Sequence, residues 1–289
     1  MFLSFKKILY SLVVFLAVVC LQQNLAEAQK IGDMPLEVSF LNVGQGDAIL
    51  INYLNKNQIL IDTGRSSGAV LEKLRKEMPP DDQRIEIIVI THPDADHIGG
   101  LGGAVDNYEV GLVLDNGFDL KRNNFEKIKE KLEEKGIERH GIFEGSELSL
   151  GRHLALKAFN PDDRNYSSSD KNGDSVVLRM DFGENSFLFT GDIDKGTERD
   201  ILEDAEDADA DWLKVAHHGS KNSSSARFIK EVSPQFGVIS AGEDNSYGHP
   251  HEEVLDLLEK SDSKILTTAE KGTIKVGCPG LEQQCRVLE

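Results

Sequence analysis

The sequence predicts an α/β protein, a four-layer αββα sandwich in which two sheets pack together and each is covered by helices. Short apolar runs of strand length alternate with helical patterns along the chain. The order of strands and helices is similar in the two halves, so each half is expected to supply one sheet with its helices. Several of the apolar runs end directly in aspartate or histidine, which places polar side chains at one edge of the sandwich.

The N-terminus has the pattern of a secretory signal peptide. Lys6 and Lys7 precede an apolar stretch from Ile8 to Leu21, and Ala26-Glu27-Ala28 fits the small-x-small pattern of a cleavage site. The uninterrupted apolar stretch is shorter than the ~20 residues of a membrane-spanning helix, which disfavours the alternative of an anchor. We therefore expect residues 1–28 to be removed on export.

The remaining residues, 29–289, are enough for one α/β domain of ordinary size. A lipoprotein attached at Cys20 is disfavoured, because Val19 is a poor match to the small residue that such processing prefers. The mature protein is therefore expected to be secreted or periplasmic, without a stable membrane span.

In the first half, short apolar runs bounded by turn residues predict strands. These runs are Leu36 to Phe40, Ala48 to Tyr53, Gln58 to Ile61 and Ile85 to Ile90, with Asn55-Lys56-Asn57 as a hairpin loop. A helix is predicted from Val70 to Lys76, stopped by Pro79-Pro80, and a second from Phe125 to Lys135, with Gly136 at its end.

In the second half, apolar runs again predict strands, and one helix is expected from Glu253 to Lys260. The strands are expected within Glu147 to Phe159, at Ser175 to Asp181, Ser186 to Phe189 and Trp212 to Ala216, and near Ile265 and Ile274. The polar segment Pro161 to Gly173, which contains Tyr166-Ser167-Ser168-Ser169, is either a plain linker or a loop over a cleft.

The segment THPDADHIGG, directly after the fourth predicted strand, concentrates metal-binding side chains. Divalent metals such as zinc or manganese bind nitrogen and oxygen donors that converge from several directions. A turn at a strand end can point His92 and Asp94 one way and Asp96 and His97 another, which predicts two neighbouring cations. The alternative is a surface loop in which Asp96 caps a helix starting at Ile98.

Three other apolar runs end in further candidate ligands. Asp62 follows the third predicted strand, Asp192 follows Gly191 after the strand that ends at Phe189, and His217-His218 follow the strand that ends at Ala216. A strand-end aspartate before glycine alone fits ordinary turn chemistry. Together with the first cluster, these residues indicate a binuclear metal centre with Asp192 as the bridging ligand.

These groups, in this order, resemble the metallo-β-lactamase fold superfamily. The matching motifs are Asp62-Thr63-Gly64, His92-x-Asp94-x-Asp96-His97, Gly191-Asp192 and His217-His218-Gly219-Ser220. Three more segments resemble its ComEC-like competence branch: Phe40 to Asp47 (FLNVGQGD), Asn172 to Leu178 (NGDSVVL) and Tyr247-Gly248-His249-Pro250. The resemblance extends from about Leu36 to about Val276, and implies the metallo-β-lactamase version of the predicted sandwich.

The resemblance also implies a ligand set for two divalent cations, Zn²⁺ or Mn²⁺. The first cation would be held by His92 and Asp94, the second by Asp96, His97 and one of His217 and His218, with Asp192 between them. Most superfamily members have histidine in place of Asp94, and another histidine in the region where this chain has Asn172 and Ser175. A first cation that is weakly held, labile or absent in the resting protein is therefore expected, and Asp94 favours a harder ion such as manganese.

The resemblance implies a metal-dependent hydrolase that acts through a metal-bound hydroxide. A phosphodiesterase or nuclease is favoured, with DNA among its substrates. The alternatives are a hydrolase of another ester (a phosphocholine diester, a thioester or a lactam) and a non-catalytic binding module on the same fold. No protein partner is predicted.

Two residues are expected to assist catalysis without binding the metals. Asp62 is implied to orient the ligand loop through hydrogen bonds. His249 is implied to face the phosphate, where an imidazolium would stabilise the transition state or protonate the leaving oxygen. The alternative for His249 is a loop histidine hydrogen-bonded to the backbone.

Charge and cysteine content add two expectations. The formal net charge is −18, which weighs against a polyanionic substrate, although Lys214, Lys221 and Arg65 are candidates for a local cationic strip. Cys278 and Cys285 are the only cysteines after residue 28. In an exported protein they are expected to form a short disulfide loop, the alternative being two free thiols.

Overall fold

The computed structural model describes residues 34–79, 81–119, 125–151, 153–162, 172–204 and 207–288. The predicted signal peptide and the segment from Tyr166 to Ser169 lie outside the described residues. Among the helices that are described, none is long and apolar enough to cross a membrane.

The described strands form an eight-stranded and a seven-stranded sheet. In chain order they are β1 (Leu36–Phe40), β2 (Ile49–Tyr53), β3 (Asn57–Ile61), β4 (Arg84–Ile90), β5 (Glu109–Asp115), β6 (Glu138–Gly141), β7 (Glu147–Ser149), β8 (Ala155–Asn160), β9 (Val177–Phe182), β10 (Asn185–Phe189), β11 (Trp212–Lys214), β12 (Phe236–Ile239), β13 (Lys264–Thr267), β14 (Ile274–Cys278) and β15 (Arg286–Leu288).

The first sheet has the order β15-β14-β1-β2-β3-β4-β5-β6, and the second has the order β13-β12-β11-β10-β9-β8-β7. Strands β3, β4 and β5 pair in parallel, as do β10, β11 and β12. The carboxyl ends of parallel strands lie at the same edge of a sheet, which is where α/β proteins place their sites. This topology brings the residues after β3, β4, β10 and β11 toward one rim.

Helices connect the parallel strands. The described helices are Ser67–Glu77, Ala95–Ile98, Leu101–Asn107, Glu126–Glu134, Lys195–Asp204, Ala226–Val232, Glu252–Lys260 and Thr268–Lys271, and a 3₁₀ turn spans Ala216–Gly219. The helix at Ser67–Glu77 begins where the Ser66 side chain accepts a hydrogen bond from the Ala69 amide, and it buries Val70 and Leu74.

Three hydrophobic cores separate the four layers. The central core lies between the sheets, where the rings of Phe40 and Phe189 are 6.3 Å apart. Strand β2 shows how one strand serves two cores: Ile49 and Ile51 belong to the central core, whereas Leu50 packs in the core under the first set of helices. A third core lies under the helices of the second sheet. The αββα sandwich is confirmed.

The predicted strands and helices in the described part of the chain are present, with boundaries shifted by a few residues. The proposal that Asp96 caps a helix starting at Ile98 is wrong, because the helix begins at Ala95. Several elements are not predicted by the sequence pattern, among them β5, β12 and the helix Lys195–Asp204. This helix has little apolar surface to reveal it, since Ile201 and the carboxylate of Glu198 are its buried residues.

The structure contains the expected disulfide between Cys278 and Cys285. It joins the end of β14 to the residue before β15, and both cysteines are buried in the central core. The disulfide therefore fixes the edge strand β15 against the first sheet.

Replacing both cysteines by alanine is expected to lower the free energy of unfolding by about 2 to 3 kcal/mol, because the unfolded chain regains the entropy of an open loop. Urea denaturation followed by circular dichroism measures this change. Wild-type protein unfolded with a reducing agent serves as the control and should match the variant. An unfolding midpoint that responds to neither treatment would contradict the role given to this disulfide.

Candidate metal centre

The candidate ligands project from the carboxyl ends of four parallel strands. The segment from Thr91 to Gly100 follows β4, Asp62 follows β3, Asp192 follows β10, and the histidine pair follows β11. Asp62, His217 and His218 have φ angles of 58°, 50° and 56°. Non-glycine residues in this left-handed region are strained, and such strain is concentrated at functional sites.

Four imidazole rings surround the carboxylate of Asp192. Its Oδ2 lies 3.3 Å from Nε2 of His97 and 3.5 Å from Nε2 of His218. It also lies 3.8 Å from Nε2 of His217 and 3.9 Å from Nε2 of His92. The structure therefore places Asp192 at the middle of the predicted ligand set.

The other two predicted carboxylates lie next to different histidines. Oδ2 of Asp94 is 3.9 Å from Nε2 of His92, and Oδ2 of Asp96 is 3.6 Å from Nε2 of His218. Donor atoms compatible with one cation occur in the group His92, His97 and Asp192, and in the group Asp96, His97 and His218. These two groups, out of four such groups among the described residues, share His97.

Several of these donor atoms have no hydrogen-bond partner. Nε2 of His92, His97 and His218 and Oδ1 of Asp192 are all buried and unpaired. Leaving a buried polar atom unsatisfied costs about 1 to 3 kcal/mol, and native proteins rarely do so without a functional reason. Imidazole nitrogens and carboxylate oxygens suit zinc and manganese, so the residues present fit divalent cations.

Asp62 positions both the ligand loop and one ligand. Its carboxylate accepts hydrogen bonds from the backbone amide and the hydroxyl of Thr91, each at 2.8 Å, and lies 2.7 Å from Nδ1 of His97. Because Nδ1 of His97 is engaged by this carboxylate, Nε2 is the nitrogen that faces Asp192. This is the carboxylate–histidine arrangement that supports metal ligands in other sites.

His218 is oriented in a similar way and differs from its neighbour His217. Nδ1 of His218 lies 2.9 Å from the backbone oxygen of Ser240, and its side chain is buried. The side chain of His217 is 27% exposed and lies toward the opening of the site. The geometry therefore separates the two histidines, which the sequence could not do.

A buried ion pair next to His218 was missed by the sequence analysis. Nζ of Lys214 lies 2.7 Å from Oδ2 of Asp47, and Oδ1 of Asp47 lies 3.3 Å from Nδ1 of His218. The expectation that Lys214 contributes to a surface cationic strip is wrong, because its side chain is buried. No local pattern in the sequence distinguishes this lysine from a surface one, because its partner Asp47 is distant in the chain.

Electrostatic interactions shift the pKa values of these buried groups. Burial alone would raise the pKa of Asp47, but the Lys214 ammonium and the His218 ring hold it well below its ordinary value. Burial also opposes the charged form of His218, yet the carboxylates of Asp192 and Asp47 raise its pKa to about 9. The carboxylates around His218 therefore favour a positive charge at this position.

His249 lies at the mouth of the centre. Its ring is 5.7 Å from that of His217 and 6.2 Å from that of His218, and Tyr247 stacks on it at 5.6 Å. Its buried Nδ1 has no hydrogen-bond partner, so the backbone-bonded alternative does not describe this ring. Burial and the nearby histidines lower its pKa to about 4, which makes a neutral ring rather than the expected imidazolium.

The residues found in place of the usual additional histidine take different positions. Ser175 is buried, and its hydroxyl accepts a hydrogen bond from the amide of Asp192 at 3.3 Å. Asn172 lines a cavity next to His217.

Known proteins with similar sequences identify the family of this chain. Residues 41–243 match the profile of the metallo-beta-lactamase superfamily. The chain is 31% identical over 256 residues to ComE operon protein 3 of Bacillus subtilis, a match that covers 83% of this chain and 32% of that protein. It is also 31% identical over 246 residues to Recombination protein 2 of Haemophilus influenzae, covering 83% and 28%. The chain thus spans about a third of the length of these relatives.

Solved structures show the same architecture. The metallo-beta-lactamase fold protein YhfI of Bacillus subtilis superposes with a TM-score of 0.52 at 15% identity, over 81% of this chain and 96% of that one. Zn²⁺-bound PqqB of Methylobacterium extorquens gives a TM-score of 0.51 at 11% identity, over 77% and 85%. At such identities the likeness concerns the fold alone. By the match of residues 41–243, the chain belongs to the metallo-β-lactamase superfamily, and its similarity to competence proteins agrees with the ComEC-like resemblance seen in the sequence.

Proposed function

We propose that this protein is an exported phosphodiesterase that uses two divalent cations, Zn²⁺ or Mn²⁺, and that DNA is among its substrates. The observation that carries the proposal is the convergence of unpaired imidazole and carboxylate atoms on Asp192. The names of two relatives, Competence protein ComA of Neisseria gonorrhoeae and Recombination protein 2, support nucleic acid as the substrate class. Export rests on the signal-peptide pattern of residues 1–28.

In this proposal His92 and Asp94 would hold the first cation, and Asp96, His97 and His218 would hold the second, with Asp192 contributing to both sites. His218 is preferred to His217 because its Nε2 lies next to both Asp96 and Asp192. When bound, the cations supply Lewis-acid activation of water and of a phosphoryl oxygen.

The protein's own residues orient the reactants around this centre. Asp62 and Ser240 fix the rings of His97 and His218, so that both Nε2 atoms stay directed inward. His249, at the mouth, is placed to donate a hydrogen bond from its neutral ring to the phosphate or to the leaving oxygen. The buried histidines and the cores around them exclude bulk water from the back of the site.

Asp192→Asn is expected to reduce hydrolysis of bis(p-nitrophenyl) phosphate by about 100-fold or more, because the centre loses its shared anionic ligand. The assay compares initial rates of the mature protein with Mn²⁺ and with Zn²⁺. Asp256→Asn is a matched control, since that carboxylate is exposed on the helix Glu252–Lys260. Equal rates for wild type and Asp192→Asn would refute the catalytic proposal.

Asp62→Asn is expected to weaken metal binding by about 10- to 100-fold, because Nδ1 of His97 loses its charged acceptor. Competition with a chromogenic chelator measures this affinity without any substrate. Asp262→Asn is the control: Asp262 is exposed and has a φ of 59°, close to the 58° of Asp62, so both changes test the same backbone conformation. A similar loss in the two variants would show that the backbone, and not the carboxylate, is responsible.

His249→Ala is expected to lower kcat by about 100-fold while the bound metal stays at the wild-type level, because the ring acts on substrate and not on the cations. Parallel kinetics and metal analysis of the purified variant test this. His140→Ala, which removes an exposed histidine from β6, is the control. If His249→Ala lost metal and turnover together, the ring would be a ligand and the proposed role would be wrong.

A further inference from the structure

A cavity of about 420 Å³ opens next to the proposed metal centre. One wall is His217, whose Nε2 lies 3.8 Å from the carboxylate of Asp192. Asn172, Lys195, Lys221 and Asn222 contribute to the other walls. We call this space the His217 cavity; a group bound in it would lie directly beside the proposed cations.

Hydrogen bonds fix the walls of the His217 cavity. The backbone oxygen of Gly173 accepts from Nδ2 of Asn160 at 2.8 Å and from the hydroxyl of Thr197 at 3.2 Å. Nζ of Lys195 donates to the backbone oxygen of Lys221 at 2.7 Å. Three separate loops are thereby held together, so the cavity is formed before any ligand binds.

The His217 cavity is cationic in a chain whose formal net charge is −18. Lys195 and Lys221 are its cations, and Asp194 is its acid. Oδ1 of Asp194 already accepts hydrogen bonds from the backbone amides of Gly196 and Thr197, at 2.8 and 3.0 Å. No ion pair is found for Lys221 among the described residues, so its ammonium is available to an anion.

A second cavity next to the centre has the opposite character. It measures about 700 Å³ and is reached past His249. Glu243, Glu259 and Glu270 line it. Because carboxylates repel phosphate, an anionic chain crossing the centre is directed toward Lys221 and away from these glutamates.

We propose that the His217 cavity binds the phosphate that neighbours the scissile one, so that the substrate is a strand with successive phosphodiesters rather than an isolated diester. This rests on the proposed function. Lys221 provides the charge, Lys195 adds to it while holding the loops together, and the side-chain amides of Asn172 and Asn222 are available to phosphate oxygens. The contact is to the backbone of the strand and is independent of base sequence.

The test compares wild type with Lys221→Met, which keeps the side-chain length and removes the charge. Binding of a labelled single-stranded phosphorothioate oligonucleotide, which resists hydrolysis, is measured by fluorescence anisotropy over a series of salt concentrations, with Mn²⁺ present. The slope of log Kd against log salt is expected to fall by about 0.7 on loss of one phosphate contact. Lys230→Met, an exposed lysine on the helix Ala226–Val232, should leave the slope unchanged.

A second measurement separates this role from a general disturbance of the site. The KM for bis(p-nitrophenyl) phosphate, which has one phosphate, should be the same for Lys221→Met and wild type. An unchanged salt slope, or an equal change in Lys230→Met, would overturn the inference, as would a raised KM for the single diester. If wild type hydrolyses no phosphodiester, the proposed function fails, whereas the salt slope still decides whether Lys221 contacts a phosphate.

Discussion

Unpaired donor atoms around one buried carboxylate are the constraint on which the site depends. Nε2 of three histidines and Oδ1 of Asp192 are buried close together without hydrogen-bond partners, an arrangement that is unfavourable unless the surrounding fold enforces it. Two features enforce it here. The parallel strands end at one rim, and the residues that follow accept left-handed backbone conformations at Asp62, His217 and His218. The packing of both sheets therefore stabilises a centre that would not form from its own contacts.

The ion pair between Asp47 and Lys214 extends this support across the sandwich. Asp47 lies in the loop between β1 and β2 of the first sheet, and Lys214 is on β11 of the second. Their buried contact joins the two sheet edges that carry the ligands, and the same carboxylate lies next to His218. Removing one partner of such a pair leaves a buried charge uncompensated. The contact between the two sheet edges and the orientation of the proposed ligand His218 thus both depend on the carboxylate of Asp47.

The sequence predicted the fold class and placed the candidate ligands, because strand-end aspartates and histidines are a local pattern. It could not distinguish His217 from His218, since that difference depends on Ser240 and Asp47, which are distant in the chain. The sequence led to a wrong position for Lys214, because a lysine in a short strand is expected at the surface unless its buried ion-pair partner is known. The sequence also did not reveal the helix Lys195–Asp204, because one of its buried residues is the acid Glu198. The Glu198 carboxylate accepts hydrogen bonds from the backbone amides of Ser224 and Ser225, a contact that the sequence pattern does not show.

The hydrogen bonds that orient the candidate ligands have a consequence for how the site forms. Asp62, Thr91 and Ser240 hold His97 and His218 in place through contacts made entirely within the polypeptide. In small zinc-dependent domains, by contrast, the ion supplies the folding energy itself. Here the polypeptide itself supplies the contacts that aim these two rings, so their orientation does not depend on an ion.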